Sequence, residues 1–147
     1  MEKLLNDEIV GQIRDVFQKM QHPVELLLFT SQENCDYCAE VRQLLEELAP
    51  LSEKLGLKVY DLQADADVAA GFKVQDAPAI LVMAREGEQV TDLGVRYLGI
   101  PSGHEFSTLI QDILMVSGRD SGLSPETRAY LKGLTSPLLL QVFVTPT

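Results

Sequence analysis

Cysteine and histidine are scarce in this sequence, and its charge is lopsided. Among 147 residues there are two cysteines, Cys35 and Cys38, and two histidines, His22 and His104. So few donors exclude a disulfide scaffold and leave little for a structural metal, since zinc usually takes four ligands. Lysine and arginine number 12 against 22 aspartates and glutamates, a formal net charge of −10. An acidic surface repels phosphate backbones and anionic lipid, so neither nucleic acid nor membrane is an expected partner. No apolar run approaches the roughly 20 residues that span a bilayer. Met1-Glu2-Lys3 leads straight into an amphipathic pattern with no apolar signal core, so the expected location is cytoplasmic. No metal and no bound cofactor is expected.

What is present suits a compact soluble protein. Hydrophobic residues make up 46% and charged residues 23%, over a length of about one domain at ~150 residues. Leu5, Ile9, Ile13, Phe17 and Met20 share one helical face, which predicts a helix over about 6–21, stopped by Pro23. Residues 24–29 (VELLLF) read as a buried strand. Glu25, at the start of that strand, is expected to be solvated. A polar loop follows, with Asn34 as the expected N-cap of a helix opening at Cys35. Val41, Leu44, Leu45 and Leu48 are the apolar stripe of that helix. Further strands are expected over 58–62, 79–83 and 94–98, a short helix over 65–71, and a hairpin turn at 85–88. Ser102 and Glu105 form an S-x-x-E pattern that predicts a capping box before a last main helix. The order α-β-α-β-α-β-β-α gives an α/β fold, a mixed sheet with helices on both faces.

Beyond the polar stretch 117–122 the pattern starts again. QIRDVFQKMQHPVELLLF (12–29) and ETRAYLKGLTSPLLLQVF (126–143) align at a shift of 114, the difference 126 − 12, with Arg14/Arg128, Pro23/Pro137, Leu26/Leu140 and Phe29/Phe143 identical. The expected division is a first unit over 1–120 and the start of a second, repeated unit over 121–147, with an apolar strand over 138–144.

The chemistry points to Cys35-Asp36-Tyr37-Cys38. The reactive form of a thiol is the thiolate, and a free cysteine has a pKa of ~8.5. The unpaired N–H groups at a helix start stabilise negative charge, and Cys35 is expected there, reachable by a partner disulfide. Cys38 falls in line with the apolar stripe and is expected to be the more buried of the two. Side chains at i and i+3 are close enough to bridge. Cys35 therefore reads as the attacking thiol and Cys38 as the resolving one. A half zinc site and an incidental pair are the competing readings, and only His22 and His104 could add ligands. Pro78, opening a strand, is a natural place for a cis bond, with the backbone of Ala77 offered to a substrate peptide. Tyr37 is a candidate to shape the mouth of the site. Glu33, Asp36 and Glu40 oppose the thiolate.

Cys35-Asp36-Tyr37-Cys38 after a strand, with Ala77-Pro78 before another, is similar to thioredoxin and glutaredoxin. GVRYLGIPSGHEF (94–106) and VFVTPT (142–147) resemble the protein disulfide oxidoreductase, or glutaredoxin-like, family of tandem thioredoxin-fold proteins. The resemblance covers nearly the whole chain. It implies a thioredoxin-like fold, Cys35 and Cys38 as the redox pair of the amino-terminal unit, and a part in cell redox homeostasis. Protein disulfides are the implied substrates and a flavoprotein of thioredoxin-reductase type the implied electron donor. It also implies a second C-x-x-C directly after Thr147, so the chain looks like a truncated product. The tryptophan and the Gly-Pro of thioredoxin are missing around the cysteines. The alternatives are a glutathione-linked glutaredoxin and a non-catalytic unit that supports a missing carboxyl-terminal redox domain. Self-association through 138–144 is expected, because an unpaired apolar strand exposes both backbone and side chains.

Overall fold

The computed structural model describes residues 2–145. Helix α1 (Asp7–Phe17) opens on Asn6, whose side chain accepts from the Ile9 N–H at 2.8 Å, and it buries Ile13 and Phe17. Strand β1 (Val24–Thr30) follows, then α2 (Cys38–Leu48), which ends in a short 3-10 turn (Ala49–Leu51) containing Pro50. Next come β2 (Leu55–Asp61), α3 (Ala66–Gly71), β3 (Ala79–Glu86), β4 (Gln89–Leu98), α4 (His104–Gly118) and α5 (Pro125–Lys132). The strands form one sheet in the order β2-β1-β3-β4. β1 and β2 are parallel, whereas β3 runs antiparallel to both β1 and β4. The parallel pair needs the crossover through α2, and the antiparallel β3–β4 pair needs only the turn at 87–88.

Alternation along β1 builds two cores. Leu26 and Leu28 pack with Ile13 and Phe17 of α1, with Val41, Leu45 and Leu48 of α2, and with Leu109, Ile113 and Val116 of α4. Leu27 and Phe29 pack on the other face with Leu81 and Met83, covered by Ala69 and Val74 in and after α3. Every residue from Val24 to Phe29 is buried, as a central strand between two neighbours requires. The α/β thioredoxin-like architecture expected from the sequence is the one observed.

At the start of β1 the chain is pinned by polar ties. The Ser117 hydroxyl accepts from the Gln21 and His22 N–H groups and donates to the His22 carbonyl. The Arg119 guanidinium donates to the carbonyls of Val116, Pro23 and Arg85. The amino-terminal segment is held on α2, where the Glu47 carboxylate accepts from the Leu4 and Leu5 N–H groups and from the Gln43 amide. Burial raises the Glu47 pKa, but these bonds outweigh it and hold the carboxyl below its usual value.

Four local expectations are corrected. Helix α2 starts at Cys38, not Cys35, and its N-cap is Tyr37 in a left-handed conformation (φ 69°), while Asn34 has φ 50° and lies in the loop before it. A turn closed by the cysteine pair, and not a first helical turn, occupies 35–37. Ser102 and Glu105 make no capping box, because Gly103 takes the cap position with φ 63° and ψ −132°, a conformation that suits glycine. Glu25 is buried (3% exposed), facing Arg85 of β3 at 3.5 Å and lying over the Cα of Gly56 on β2. Residues 138–144 form no strand; α5 ahead of them does form, capped by the Ser124 hydroxyl. A run of apolar side chains becomes a strand only when a neighbouring backbone completes its ladder, and this segment joins no sheet among the described residues.

Candidate redox site

The site lies at the end of the sheet where β1 and β2 finish, β3 begins and β4 finishes. The register fixes this: Phe29 pairs with Ala79, Ala79 with Leu98, and Thr30 with Asp61. Four loops therefore converge there, at 31–37, 62–65, 72–78 and 99–103. Cys35 and Cys38 are joined as a disulfide with their Cα atoms 5.7 Å apart, an ordinary span for such a bond. Cys35 is half-buried and its sulfur lies 3.7 Å from the Asp36 carbonyl oxygen. Cys38 is buried against the apolar stripe of α2, at the first position of that helix. The sequence expectation of one accessible and one covered cysteine matches this geometry, although the helix N-terminus falls on Cys38.

The Ala77–Pro78 peptide is cis. Pro78 is buried, Ala77 half-buried, and the Pro78 carbonyl accepts from the Gly99 N–H at 2.9 Å, which ties the 72–78 and 99–103 loops together. Tyr37 projects from the cysteine turn, 55% exposed. It lines a cavity of about 500 Å³ with Leu98, Gly99 and Ile100 on one side and residues 139–144 on the other. A neighbouring cavity of about 820 Å³ is lined by Arg96, Tyr97, His104, Glu105 and Asp112 together with the same terminal segment.

The second cavity holds ionisable groups that the sequence pattern does not single out. The Tyr97 hydroxyl donates to the Asp112 carboxylate, and burial, reinforced by that bond, keeps the phenol protonated far above its ordinary range. Burial also raises the Glu105 carboxyl. Their sequence signals are weak: Tyr97 alternates as a core residue of a strand, and Glu105 reads as part of a helix cap. Glu25 is remote from the cysteines, because it sits at the opposite end of β1 from the loop that carries them. It supplies no proton shuttle to the disulfide. Its Oε2 and the Arg85 Nε are buried without a hydrogen-bond partner among the described residues. No group of three or more His, Cys, Asp or Glu could hold a metal ion among the described residues. No helix among them is long and apolar enough to cross a membrane.

No family model matches the chain. The AhpF component of alkyl hydroperoxide reductase from Staphylococcus epidermidis is 28% identical over 144 residues, which is 98% of this chain and 25% of that protein. The Pseudomonas aeruginosa protein of the same name is 27% identical over 131 residues, 89% of this chain and 22% of that protein. The chain thus spans about a quarter of the length of these curated relatives. Among solved structures, a protein disulfide oxidoreductase from Aeropyrum pernix superposes with a TM-score of 0.76 at 29% identity, covering 90% of this chain and 57% of that one. The AhpF protein of Enterococcus faecalis superposes with a TM-score of 0.77 at 21% identity, covering 90% and 62%, and shares the fold. The chain is similar to tandem thioredoxin-fold disulfide oxidoreductases, as the sequence motifs implied. Fold, cysteine pair and oxidoreductase relatives together support thiol–disulfide oxidoreductase chemistry.

Proposed function

We propose that this unit exchanges electrons with protein disulfides, with Cys35 as the attacking thiol and Cys38 as the resolving one. The observation that carries this reading is the disulfide itself, with a half-buried Cys35 in the turn before α2 and a buried Cys38 at its first position. In the reduced state the Cys35 thiolate attacks one sulfur of a client disulfide, the client bond breaks, and the second client sulfur leaves as a thiolate. The Cys38 thiolate then attacks Cys35 and expels the first client sulfur, re-forming the Cys35–Cys38 bond. The N–H groups of the first turn of α2 favour the negative charge that passes through Cys38. Tyr37 and the Ala77–Pro78 backbone are the proposed client-binding elements.

Electrons come from a flavoprotein of thioredoxin-reductase type, as the family resemblance implies, and the setting is cytoplasmic. Residues 1–120 act as the redox unit, and 121–147 belong to a second, repeated unit. Apolar side chains from Leu138 to Val144 are 56% to 90% exposed, apart from the polar Gln141 between them, which supports pairing of this segment with a second copy. The test of the redox reading is insulin-disulfide reduction driven by dithiothreitol. Wild-type protein accelerates it and Cys35→Ser abolishes the acceleration, whereas an unaffected Cys35→Ser protein refutes the assignment. Equal activity with glutathione as the only reductant points to the glutaredoxin alternative.

A further inference from the structure

We propose that Ser31 is a positioning residue for the redox pair: its hydroxyl holds the loop ahead of Cys35 when the disulfide is open, and so keeps Cys35 within reach of Cys38. The proposal rests on the dithiol reading above. Among the described residues, no backbone–backbone hydrogen bond reaches 31–34. What holds this stretch is one side chain. The Ser31 hydroxyl accepts from the Glu33 N–H at 3.1 Å. Its single hydrogen faces two oxygens, the Glu33 carbonyl at 3.0 Å and the Gln63 side-chain carbonyl at 3.1 Å. The first two contacts fold the loop into a tight turn, and the third fastens that turn to the loop after β2.

Gln63 is itself a fixed anchor. The Asp61 carboxylate accepts from the Gln63 and Ala64 N–H groups at 2.9 Å each, and the Leu62 N–H donates to the Thr30 carbonyl at 2.9 Å. The Ser31 turn is thus tied to the end of the β1–β2 pair, and it hands the chain to Asn34, whose φ of 50° lies in the left-handed region. A residue other than glycine keeps such a backbone only where its surroundings impose it. With the Cys35–Cys38 bond closed, the disulfide imposes the loop geometry covalently. With the bond open, the Ser31 contacts are what remains. A loop already ordered in the dithiol form loses little entropy when the disulfide closes, whereas a loop freed by loss of Ser31 must be ordered again at that step. Ser31 therefore favours closure of the disulfide without touching either sulfur.

The test equilibrates the full chain with glutathione buffers, in which the dithiol gives two electrons and two protons to oxidised glutathione and two reduced glutathiones are released. Acid quenching and mass spectrometry read the equilibrium constant, an effective concentration of one cysteine at the other. Ser31→Ala should lower it about fivefold and Gln63→Ala about twofold, while Ser31→Thr, which keeps the hydroxyl, should stay close to wild type. Ser52 supplies the matched control. Its hydroxyl accepts from the Lys54 N–H at 3.1 Å in a turn ahead of β2, at the opposite end of the sheet from the cysteines. Ser52→Ala removes the same kind of contact and should leave the constant unchanged. A Ser31→Ala constant equal to or above that of wild type, an equal fall in Ser52→Ala, or no recovery in Ser31→Thr overturns the proposal and leaves the dithiol reading standing. Wild-type protein that forms no Cys35–Cys38 bond at any glutathione ratio overturns the dithiol reading and this proposal with it.

Discussion

Residues 12–29 and 126–143 share a helix, a proline and an apolar run at the same spacing, but only the apolar run of the first segment is buried. Leu26 is fully buried in β1, paired with β2 on one side and β3 on the other. Its counterpart Leu140 is 81% exposed in a segment with no strand. At the position of Glu25, which the first copy buries against Arg85, the second carries Leu139. Helix formation needs only local signals, and α1 and α5 both have them, with Asn6 and Ser124 as caps. Strand formation needs a partner backbone, and only the first copy has partners among the described residues.

The largest expected effect comes from removing the same side chain in each copy. Leu26→Ala should cost about 3 kcal/mol of folding stability, as buried leucine truncations do, while Leu140→Ala should change it by less than about 0.5 kcal/mol. Urea denaturation of the two variants checks this, and equal losses would mean that the terminal segment is packed.

Next is the close approach that the first copy makes and the second lacks. An added methyl at Gly56 would collide with the Glu25 carboxylate, so Gly56→Ala should destabilise by about 2 kcal/mol. Combining it with Glu25→Ala should recover part of the loss, and strictly additive costs would show that the carboxylate does not lie over Gly56.

A smaller effect is expected where the amino-terminal segment meets α2. The Glu47 pKa is lowered on folding, so its contribution is present above the ordinary carboxylate range and is lost as pH falls through the folded value. Glu47→Gln should cost at most about 1 kcal/mol near pH 7, because the group is only half-buried. The difference in thermal midpoint from wild type should shrink toward pH 3, and a difference that grows on acidification would reverse the sign argued here.

The smallest effect on folding should follow removal of 124–147. The shortened chain should keep its unfolding midpoint and the reactivity of Cys35, and, if 138–144 pairs between copies as proposed, the full chain should self-associate by light scattering while the shortened chain is a monomer. Unfolding of the shortened chain would place the segment within the first unit.

Much of this is legible in the sequence because it depends on local patterns. The stripe Val41–Leu44–Leu45–Leu48 and the apolar run of β1 mark α2 and its neighbouring strand, and their junction marks Cys35 and Cys38. The cis bond at Ala77–Pro78 is expected from a proline opening a strand together with the C-x-x-C pair, since X-Pro is where cis bonds occur. The burial of Glu25 is not legible, because it depends on Arg85, which lies 60 residues away in sequence (85 − 25) and reaches it only through the β1–β3 pairing. The left-handed Tyr37 is hidden because the cysteine turn, not side-chain propensity, sets its backbone. Ser102 looks like a cap until the glycine beside it takes the position. For 138–144 the apolar pattern is plain and its consequence is not, since no pattern states whether a neighbour is present.

The division of labour between the two cysteines is most directly tested by trapping. A Cys38→Ser variant, reduced and mixed with an oxidised peptide disulfide, should accumulate a mixed disulfide that peptide mapping places on Cys35, while Cys35→Ser should accumulate little on the buried Cys38. Efficient trapping on Cys38 in the Cys35→Ser protein, with none on Cys35 in the Cys38→Ser protein, would contradict the account.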